Sequence, residues 1–433
     1  MFKTKRQSVL TLAFLILASL LIFTGFGCKK KPTANEIQPI TLNFWSVFDD
    51  KEVYDPMITA YQTSHPNIHI VYKKLTYEEY EKAVVEGLAS GQGPDIWTIH
   101  NTWLPKDIGK LAPMPDSLMT SAMYKDAFVE VASSDFVFDE KIYGIPMSVD
   151  TLALYYNKDL LNTEGIVTAP EDWEIFKDAT TKLTKTDITD NIVQSGAAIG
   201  TSKNINRAVD ILYLLMLQNG TQMVNNQLTG ATFNLADVND PKYFPGTAAM
   251  TFYTDFANSK KEIYSWNLNM PYSIDAFIEE KTAMMFNYSY QRSYLKSKAP
   301  NLNYGVAPVP QITGTQKAVN YANYWGNVVS QASKYQAESW DFVNFISGKD
   351  NVDAYCKKTD RPASRIDVLQ AQLDDPNLKV FAKQALTAKS WYQKDPAQTE
   401  TLFNNAIDAI VSEQSTVGDE INTLAQQVTS LMR

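Results

Sequence analysis

Aromatic and polar side chains stand together where two predicted strands of the sequence end. Trp45, Phe48 and Asp49 follow an alternating apolar run, and His100 and Asn101 follow a second, more apolar run. An aromatic ring can stack on the C–H face of a polyhydroxylated molecule, while carboxylates and amides hydrogen-bond its hydroxyl groups. These residues indicate a binding site for a small polar ligand. The alternatives are that the rings belong to the core and that Asp49 and Asp50 cap the next helix.

Motifs for other kinds of chemistry are scarce. The histidines are His65, His69 and His100, and the spacing of the first two suits a metal only on a helix, which Pro66 and the strand-like residues 68–72 argue against. The sequence contains no Gly-x-Ser-x-Gly elbow, phosphate loop or cysteine cluster. Carboxylates are numerous, but their spacing does not fix two of them across one pocket, as a glycosidase requires. We predict no enzymatic activity, no cofactor and no metal.

The N-terminal residues have the layout of a bacterial secretory signal. Three basic side chains within residues 3–6 precede an apolar run over residues 9–23, shorter than the roughly 20 residues of a spanning helix. Cys28 directly follows a small residue, which resembles a lipoprotein processing site where the thiol is acylated. The usual leucine three positions earlier is Gly25 here. Ordinary signal cleavage nearby, or an uncleaved anchor, therefore stays an alternative.

We expect residues 1–28 to form a signal peptide, with Cys28 as the lipidation site, and the polar residues 29–39 to form a flexible tether. The other cysteine is Cys356, so a lipidated Cys28 leaves no disulfide within the chain. Stability must then come from a core that 433 residues can readily bury. A net charge of −9, with no long basic run in the mature part, excludes nucleic acid as an expected partner.

Hydrophobic periodicity after the tether predicts an α/β domain. The predicted order is strand 40–44, helix 53–64, strand 68–72, helix 76–91 and strand 95–99. The second helix opens with a capping box at Thr76 and Glu79 and ends at Gly91. Tyr77 falls among its apolar positions at helical spacing.

Longer motifs extend this pattern over nearly all of the mature chain. They are GQGPD at 91–95, YGIP at 143–146, YYNKDL at 155–160, APEDW at 169–173, KTAMM at 281–285, NYGVAPVP at 303–310 and RPASR at 361–365. In this order and spacing they resemble the extracellular sugar-binding proteins of ABC importers, the maltodextrin-binding class. The resemblance implies an α/β, two-lobed periplasmic-binding-protein-like fold of type II. Each lobe would be a sheet flanked by helices, and hinge crossings would join the lobes around the ligand.

The resemblance also implies how the chain divides. Lobe one is expected at 40–148 plus 305–358, and lobe two at 149–304 plus 359–433. The expected crossings between the lobes are Ser148–Leu152, Asn303–Val309 and Tyr355–Pro362. In open α/β sheets ligands bind at the carboxyl ends of the strands, so we expect the site between the two lobes.

Further site residues come from the resemblance. Asp150 lies where the family places an acidic or polar ligand residue, and the residues after 281–285 lie where it places an aromatic platform. Trp391 lies in a stretch that often adds another ring. The complete predicted site is Trp45, Phe48, Asp49, His100, Asn101, Asp150, Asn287, Tyr288, Tyr290, Tyr324, Trp325 and Trp391. The alternatives are hinge scaffolding for Asp150 and packing for the rings.

The function that the resemblance implies is the substrate-binding component of an ABC importer, which captures a mono- or oligosaccharide and delivers it to the permease. We expect an exported monomer that a lipid anchors to the outer face of the cell membrane. Two alternatives stay open: the same fold with a polyamine, ferric iron or a phosphate ester, and a surface glycosidase. Tyr155 and Tyr156 suggest iron, although both also belong to the frame of the family.

Overall fold

The computed structural model describes residues 38–433. The predicted signal peptide 1–28, its Cys28 and most of the predicted tether 29–39 lie outside the described residues, so export and lipidation stay predictions. Residues Thr41–Arg433 form one compact unit. No helix within the described residues is long and apolar enough to cross a membrane.

The described residues form both β-strands and α-helices. The strands are β1 Ile40–Ser46, β2 Ile68–Lys74, β3 Ile96–His100, β4 Val137–Phe138, β5 Lys141–Ile142, β6 Ile145–Pro146, β7 Asp150–Thr151, β8 Ala153–Asn157, β9 Lys185–Thr186, β10 Ile192–Gln194, β11 Met284–Asn287, β12 Tyr304–Ala307, β13 Asn320–Asn323, β14 Trp325–Val329 and β15 Ala388–Lys389. The α-helices are α1 Lys51–Ser64, α2 Tyr77–Ser90, α3 Leu104–Asp107, α4 Ser121–Ala127, α5 Glu130–Phe136, α6 Lys158–Thr163, α7 Trp173–Leu183, α8 Ala208–Gln218, α9 Pro245–Asp255, α10 Ser273–Ile278, α11 Gln291–Lys298, α12 Gln336–Ile346, α13 Lys349–Thr359, α14 Ile366–Gln372, α15 Lys379–Ala385, α16 Pro396–Val411 and α17 Val417–Leu431. A short 3₁₀ helix, Ile108–Lys110, follows α3.

The first sheet has five strands in the order β2-β1-β3-β14-β6. Strands β1 and β3 are parallel, with Trp45 beside Trp97. Strand β14 arrives from far along the chain and runs antiparallel to β3, which places Trp325 beside His100. The predicted β-α-β-α-β start is therefore confirmed. The ends of β1 and β3 and the beginning of β14 share one edge of this sheet.

Helix α2 begins and ends close to where the pattern predicts. The hydroxyl of Thr76 donates to the carboxylate of Glu79 at 2.9 Å, so it does not cap the backbone as a capping box would. Gly91 ends the helix in the left-handed region at φ 69°, a conformation that glycine adopts without strain. Tyr80 is buried, as the periodicity predicts, but Tyr77 is exposed because it is the first helical residue.

The second sheet is antiparallel, in the order β11-β8-β12, and belongs to a separate large core. Leu154 of β8 pairs with Phe286 of β11 on one side and with Ala307 of β12 on the other. Strand β12, which lies within the predicted crossing Asn303–Val309, pairs along its length with β8. The residues from Gly305 onward, which we expected to begin the return into lobe one, start in this second sheet.

A small third sheet, β15-β13-β7, lies between the first two sheets along the chain. Asn323 of β13 pairs with Asp150 of β7, and β15 runs parallel to β13. Strand β13 leads into β14 of the first sheet, whereas β7 leads into β8 of the second. Ser148 also forms a bridge with Ala363. A crossing at Ser148–Leu152 agrees with these connections, and β13 supplies the return that the sequence pattern misplaced.

Candidate ligand-binding site

Five aromatic side chains meet at the edge of the first sheet where β1 and β3 end. We call them the aromatic wall: Phe48, Tyr77, His100, Trp103 and Trp325. The ring of Trp325 lies at their centre, with centroids 5.4 Å from Phe48, 5.6 Å from His100, 5.0 Å from Trp103 and 6.4 Å from Tyr77. All four contacts are edge-to-face, which is a favourable arrangement for aromatic pairs. The pairing of β14 with β3 therefore fixes Trp325 against the loops that follow β1 and β3.

Two rings of the aromatic wall are open to solvent. Phe48 is 46% exposed and Tyr77 is 57% exposed, while Trp325 is half-buried. The rings of Phe48 and Tyr77 are nearly parallel, at 18°, with centroids 6.0 Å apart. Exposed aromatic surface at the carboxyl ends of sheet strands is typical of a ligand-binding face. The wall thus offers an apolar platform for a small ligand.

His100 belongs to the wall as a neutral ring. Its Nδ1 lies 2.8 Å from the hydroxyl of Thr102. Burial lowers the pKa of His100 to about 3; a hydrogen bond with Asn323 raises this pKa, and the charges of Arg207 and Lys106 lower it. The imidazole is therefore uncharged at neutral pH. The positive charge of Arg207 is thus one of the charges that act on this ring.

Arg207 precedes helix α8 in a backbone conformation that is rare for its residue type. Its φ of 63° and ψ of 30° lie in the left-handed region. For a residue other than glycine this costs on the order of 1–3 kcal/mol, and such strain concentrates at functional sites. Two guanidinium nitrogens donate to the hydroxyl of Tyr290 at 3.2 and 3.1 Å, and the guanidinium lies 5.6 Å from the ring centroid of Tyr288. The side chain is exposed, which makes Arg207 a candidate ligand residue.

Asp210, three residues after Arg207, supports a second aromatic platform. The hydroxyl of Tyr288 donates to its carboxylate at 2.8 Å. Burial raises the pKa of Asp210, whereas the charge of Arg207 and hydrogen bonds from Tyr288 and Asn323 lower it. The ring of Tyr288 stacks on that of Tyr290, with centroids 6.0 Å apart and 24° between the planes. Tyr290 is 41% exposed, so its outer face is available to a ligand.

Glu400 adds an exposed carboxylate from helix α16. Within residues 38–433 it forms neither a hydrogen bond nor an ion pair. Partial desolvation by the surrounding protein raises the pKa of Glu400, as does the charge of Asp210, whereas the charge of Arg207 lowers it. Partial desolvation also raises the pKa of Tyr77, and the charge of Glu400 raises it further. Helix α16 packs against α8, which Arg207 precedes, and Lys394 just before α16 donates to the carbonyl of Pro105, two residues after Trp103. Glu400 therefore belongs to a helix that contacts the elements of both Arg207 and the aromatic wall.

Asp150 is buried and bound to the protein itself. Its carboxylate accepts hydrogen bonds from the N–H and hydroxyl of Ser289, at 2.9 and 2.7 Å, and from the N–H of Thr151 at 2.9 Å. Burial raises the pKa of Asp150 to about 6, although these hydrogen bonds lower it. The contacts match the alternative of a scaffold that holds the third sheet against the loop after β11.

Asp49 is likewise occupied by neighbouring side chains. It pairs with Arg361 at 2.9 Å and accepts a hydrogen bond from the hydroxyl of Tyr355 at 2.7 Å. Its side chain is only 11% exposed. The next residue, Asp50, is the N-cap of α1, but its side chain makes no capping bond, so the predicted alternative of a helix cap is wrong. Asp49 instead ties the end of β1 to the segment after α13.

Two predicted site residues share a single buried acid. The amide of Asn101 and the hydroxyl of Tyr324 donate to the carboxylate of Asp135 at 2.9 and 2.6 Å. Both donors are almost fully buried. Ser390 donates to the same carboxylate. Burial raises the pKa of Asp135 to about 6, while these hydrogen bonds lower it. The structure thus places Asn101 and Tyr324 behind the aromatic wall.

Three other predicted residues pack at a distance from the wall. Trp45 is half-buried beneath the ammonium of Lys73, 4.5 Å from its ring, and its ring edge faces Gly87. The amide of Asn287 is fully buried and donates to Asn206 at 3.1 Å. Trp391 is buried in the second core. The structure therefore brings Phe48, His100, Tyr290 and Trp325 to the site and places the remaining predicted residues behind or beside it.

The sequence interpretation missed four residues of this site. Tyr77 was assigned to the apolar face of α2, although its place at the first helical position was a signal of exposure. Arg207 and Asp210 open an otherwise apolar helix, and Glu400 lies in a polar stretch of α16. Nothing in the local pattern around these three residues indicates that they meet.

The described residues give no support to a metal ligand. Residues 38–433 contain no group of three or more His, Cys, Asp or Glu side chains that could hold an ion. The hydroxyl of Tyr155, considered above for iron, is buried and donates to the backbone carbonyl of Tyr288 at 2.6 Å. It is engaged within the second core and does not reach the candidate site.

Comparison with known proteins agrees with this architecture. The family model described as bacterial extracellular solute-binding protein matches residues 46–353. The maltodextrin-binding protein MdxE of Bacillus subtilis is 23% identical over 436 residues, covering 96% of this chain and 97% of that protein. The galactooligosaccharide-binding protein of the same organism is 22% identical, covering 80% of this chain and 78% of that protein.

Solved structures share the fold at low sequence identity. The cyclic α-maltosyl-1,6-maltose binding protein of Arthrobacter globiformis is 18% identical, with a TM-score of 0.74 over 91% of this chain and 99% of that chain. The sugar-binding protein MalE of Xanthomonas citri is 18% identical, with a TM-score of 0.73 over 90% of this chain and 97% of that chain. The two-lobed α/β fold is confirmed by these neighbours. The chain belongs to the bacterial extracellular solute-binding proteins.

Proposed function

We propose that this protein is the substrate-binding component of an ABC importer, that its solute is a carbohydrate, and that it delivers the carbohydrate to a permease. The observation that carries the proposal is the aromatic wall around Trp325, with the exposed rings of Phe48 and Tyr77, set near the polar side chains of Arg207 and Glu400. Rings suit the C–H faces of a sugar, and polar groups suit its hydroxyl edges.

The second aromatic platform supports a ligand larger than one ring. Tyr290, Tyr294 and Tyr272 are all between 41% and 44% exposed. Tyr294 follows Tyr290 by one helical turn, and the hydroxyl of Tyr272 accepts a hydrogen bond from Asn206, next to Arg207. Exposed rings therefore continue away from Arg207. The names of the maltodextrin- and galactooligosaccharide-binding relatives are consistent with an oligosaccharide.

No observation favours a different solute or an enzymatic reaction. The described residues offer no cluster of metal ligands for ferric iron. A polyamine requires an excess of carboxylates, and a phosphate ester an excess of cations, whereas Arg207 and Glu400 have opposite charges. The proteins that this chain resembles are binding proteins, so simple capture and release is the reading we propose.

A thermal-shift screen tests this proposal. Purified residues 29–433 are heated with a panel of mono- and oligosaccharides, spermidine and ferric citrate. A ligand at one hundred times its Kd stabilises a protein by about 2.7 kcal/mol, so at least one saccharide should raise the melting temperature by a few degrees. Stabilisation by spermidine or iron, with no effect from any saccharide, would overturn the proposal. Release of monosaccharide in the same mixtures would indicate a glycosidase.

The anchoring of the protein forms a separate part of the proposal. Proteins of this family are extracellular, and we propose that Cys28 is lipidated, so that the tether 29–39 holds the binding unit at the outer face of the cell membrane. Cys28→Ser should move the protein from the membrane fraction to the medium or the periplasm. Retention of the variant in the membrane would indicate an uncleaved anchor instead. We also propose a monomer, which size-exclusion chromatography with light scattering tests.

A further inference from the structure

Within residues 38–433, the side chains of Arg207 and Glu400 form no ion pair. Arg207 donates only to the neutral hydroxyl of Tyr290, and Glu400 bonds to no side chain in the described part of the chain. Both side chains are exposed. Lys260 and Glu413, by comparison, are also exposed but pair with each other at 2.6 Å. Arg207 and Glu400 therefore have free hydrogen-bonding capacity near the aromatic wall.

Tertiary packing fixes where these two charges lie. Helix α8, which Arg207 precedes, packs against helix α16, which carries Glu400. The start of α16 is also tied to the loop of the aromatic wall, because the ammonium of Lys394 donates to the carbonyl of Pro105 at 2.8 Å. Asp210 is the other acid nearby, but its carboxylate is occupied by Tyr288. Glu400 is thus the carboxylate left to meet a ligand beside Arg207.

We propose that Arg207 and Glu400 together form a charge filter, which selects an uncharged, hydroxyl-rich saccharide and rejects acidic and basic sugars. The inference rests on the proposed function and specifies the class of carbohydrate. Neither the family model nor the names of the relatives assign a role to either residue.

The chemistry of a hydroxyl group explains the selection. A hydroxyl can accept a hydrogen bond from Arg207 and donate one to Glu400, so a neutral saccharide satisfies both charges. A uronate would pair with Arg207 but place a second negative charge beside Glu400. An amino sugar would pair with Glu400 but be repelled by Arg207. Exclusion of water by the bound sugar strengthens both the favourable and the unfavourable contacts.

The backbone at Arg207 supports a role in recognition. Arg207 is the N-cap residue of α8 and has a left-handed backbone conformation. Ser, Asp or Asn at this position would accept a capping hydrogen bond from the helix backbone, whereas the side chain of Arg207 makes no capping bond. A residue there that neither caps the helix nor forms an ion pair has no evident role in stability. Its guanidinium is instead held in place by the Tyr290 hydroxyl, which donates nothing to it and leaves its charge intact.

Isothermal titration calorimetry at pH 6 with trisaccharides of different charge tests the filter. The probes are maltotriose and galactotriose as neutral sugars, trigalacturonate as the acidic sugar and triglucosamine as the basic one, because at this pH the uronates are ionised and the amines are protonated. We expect wild-type protein to bind a neutral trisaccharide at least about tenfold more tightly than either charged one, a difference of about 1.4 kcal/mol.

Two charge-removing variants give the sharper result. Glu400→Gln should improve binding of trigalacturonate relative to the neutral sugar by about tenfold, because the repelling carboxylate is gone. Arg207→Gln should do the same for triglucosamine. Lys260→Gln and Glu413→Gln are the matched controls, since they remove the same charges from an exposed pair and should leave the preferences unchanged. Melting temperatures close to that of the wild type establish that the variants fold.

The possible outcomes separate the filter from the proposed function. If no trisaccharide or other sugar binds, the proposed function fails and the filter fails with it. If a saccharide binds but a charged trisaccharide binds as tightly as a neutral one, the filter alone is wrong. The filter is also wrong if both variants lose affinity for all sugars equally, since Arg207 and Glu400 would then be general contacts without charge selection.

Discussion

Trp325 contacts every other ring of the aromatic wall, with centroid distances between 5.0 and 6.4 Å. Substitution of Trp325 by Ala removes the surface that these rings share. We expect the Kd for a bound saccharide to rise at least about tenfold, or about 1.4 kcal/mol, as for other central aromatic anchors. The fold should persist, because Trp325 is only half-buried and lies at the beginning of β14. Calorimetry measures the Kd, and circular dichroism measures the melting temperature.

Trp391 supplies the matched control for this experiment. Its ring is 6% exposed and lies against Tyr213 and Phe403 in the second core. Trp391→Phe should therefore lower the melting temperature without changing the Kd by more than about twofold. If Trp325→Ala leaves the affinity unchanged and Trp391→Phe reduces it, the sequence-based placement of Trp391 in the site would be right.

Asp49 offers a test between stability and binding at a single residue. Asp49→Asn removes the charge that faces Arg361, whose side chain is only 26% exposed. We expect the free energy of unfolding to fall by about 2 kcal/mol, because a partly buried guanidinium loses its counter-charge. Urea denaturation measures this loss. An unchanged unfolding curve together with a tenfold weaker Kd would instead make Asp49 a ligand residue.

Single residues of the site differed in how well the sequence predicted them. Phe48, His100 and Trp325 could be predicted, because each stands at the end or the beginning of a recognisable strand. Arg207 and Glu400 could not, since their proximity depends on the packing of two helices almost two hundred residues apart. Asp150 was predicted as a ligand residue, whereas its hydrogen bonds with Ser289 depend on a loop whose path the sequence does not reveal.

At the scale of elements, a short strap joins the second core to the first sheet. We define it as residues 389–394. Lys389 pairs with Glu130 at 3.0 Å, Ser390 donates to Asp135, and Lys394 donates to the carbonyl of Pro105. Trp391 in the same segment is buried in the second core. The strap therefore connects α5 and α3 to α16, the helix that carries Glu400.

The raised pKa of Asp135, which accepts a hydrogen bond from Ser390 of the strap, predicts how the stability of the protein depends on pH. The pKa of Asp135 in the folded protein, about 6, is above its ordinary value, so between these two values the native state binds more protons than the unfolded state. The free energy of unfolding should therefore rise as the pH falls from 7 to 5, by at most about 1.4 kcal/mol per pH unit for this group. Urea denaturation at several pH values measures this dependence.

The variant Asp135→Asn distinguishes the contribution of Asp135 to the pH dependence of stability from the contributions of other carboxyl groups. The variant keeps an oxygen that accepts hydrogen bonds but cannot titrate, so its stability should depend less steeply on pH than that of the wild type. A residual dependence is expected, because the pKa of Asp150 is also raised to about 6. Identical pH profiles for the wild type and the variant would mean that Asp135 is not the titrating group.

Elements were predicted well where the pattern is local. Strands β1 to β3 and the helices between them follow from periodicity and from glycine or proline at their ends. The sequence did not reveal the partner of β12, because Tyr304–Ala307 has an extended pattern that suits a crossing as well as a sheet. The true return through β13 and β14 depends on long-range pairing with β7 and β3.

At the scale of the whole molecule, the candidate site draws on both large sheets and their helices. The aromatic wall belongs to the first sheet, whereas Arg207, Tyr290 and Glu400 come from elements around the second core. Strands β7 and β13 connect these parts through the third sheet. A ligand that contacts both sets of residues would stabilise whichever arrangement of the two lobes brings them together.

The most direct test of the account is a crystal structure of the protein with the saccharide that raises its melting temperature most. We predict electron density for the sugar against Trp325 and Phe48, with its hydroxyl groups within hydrogen-bonding distance of Arg207 and Glu400. A sugar bound elsewhere, with the aromatic wall covered by protein or solvent, would contradict the account.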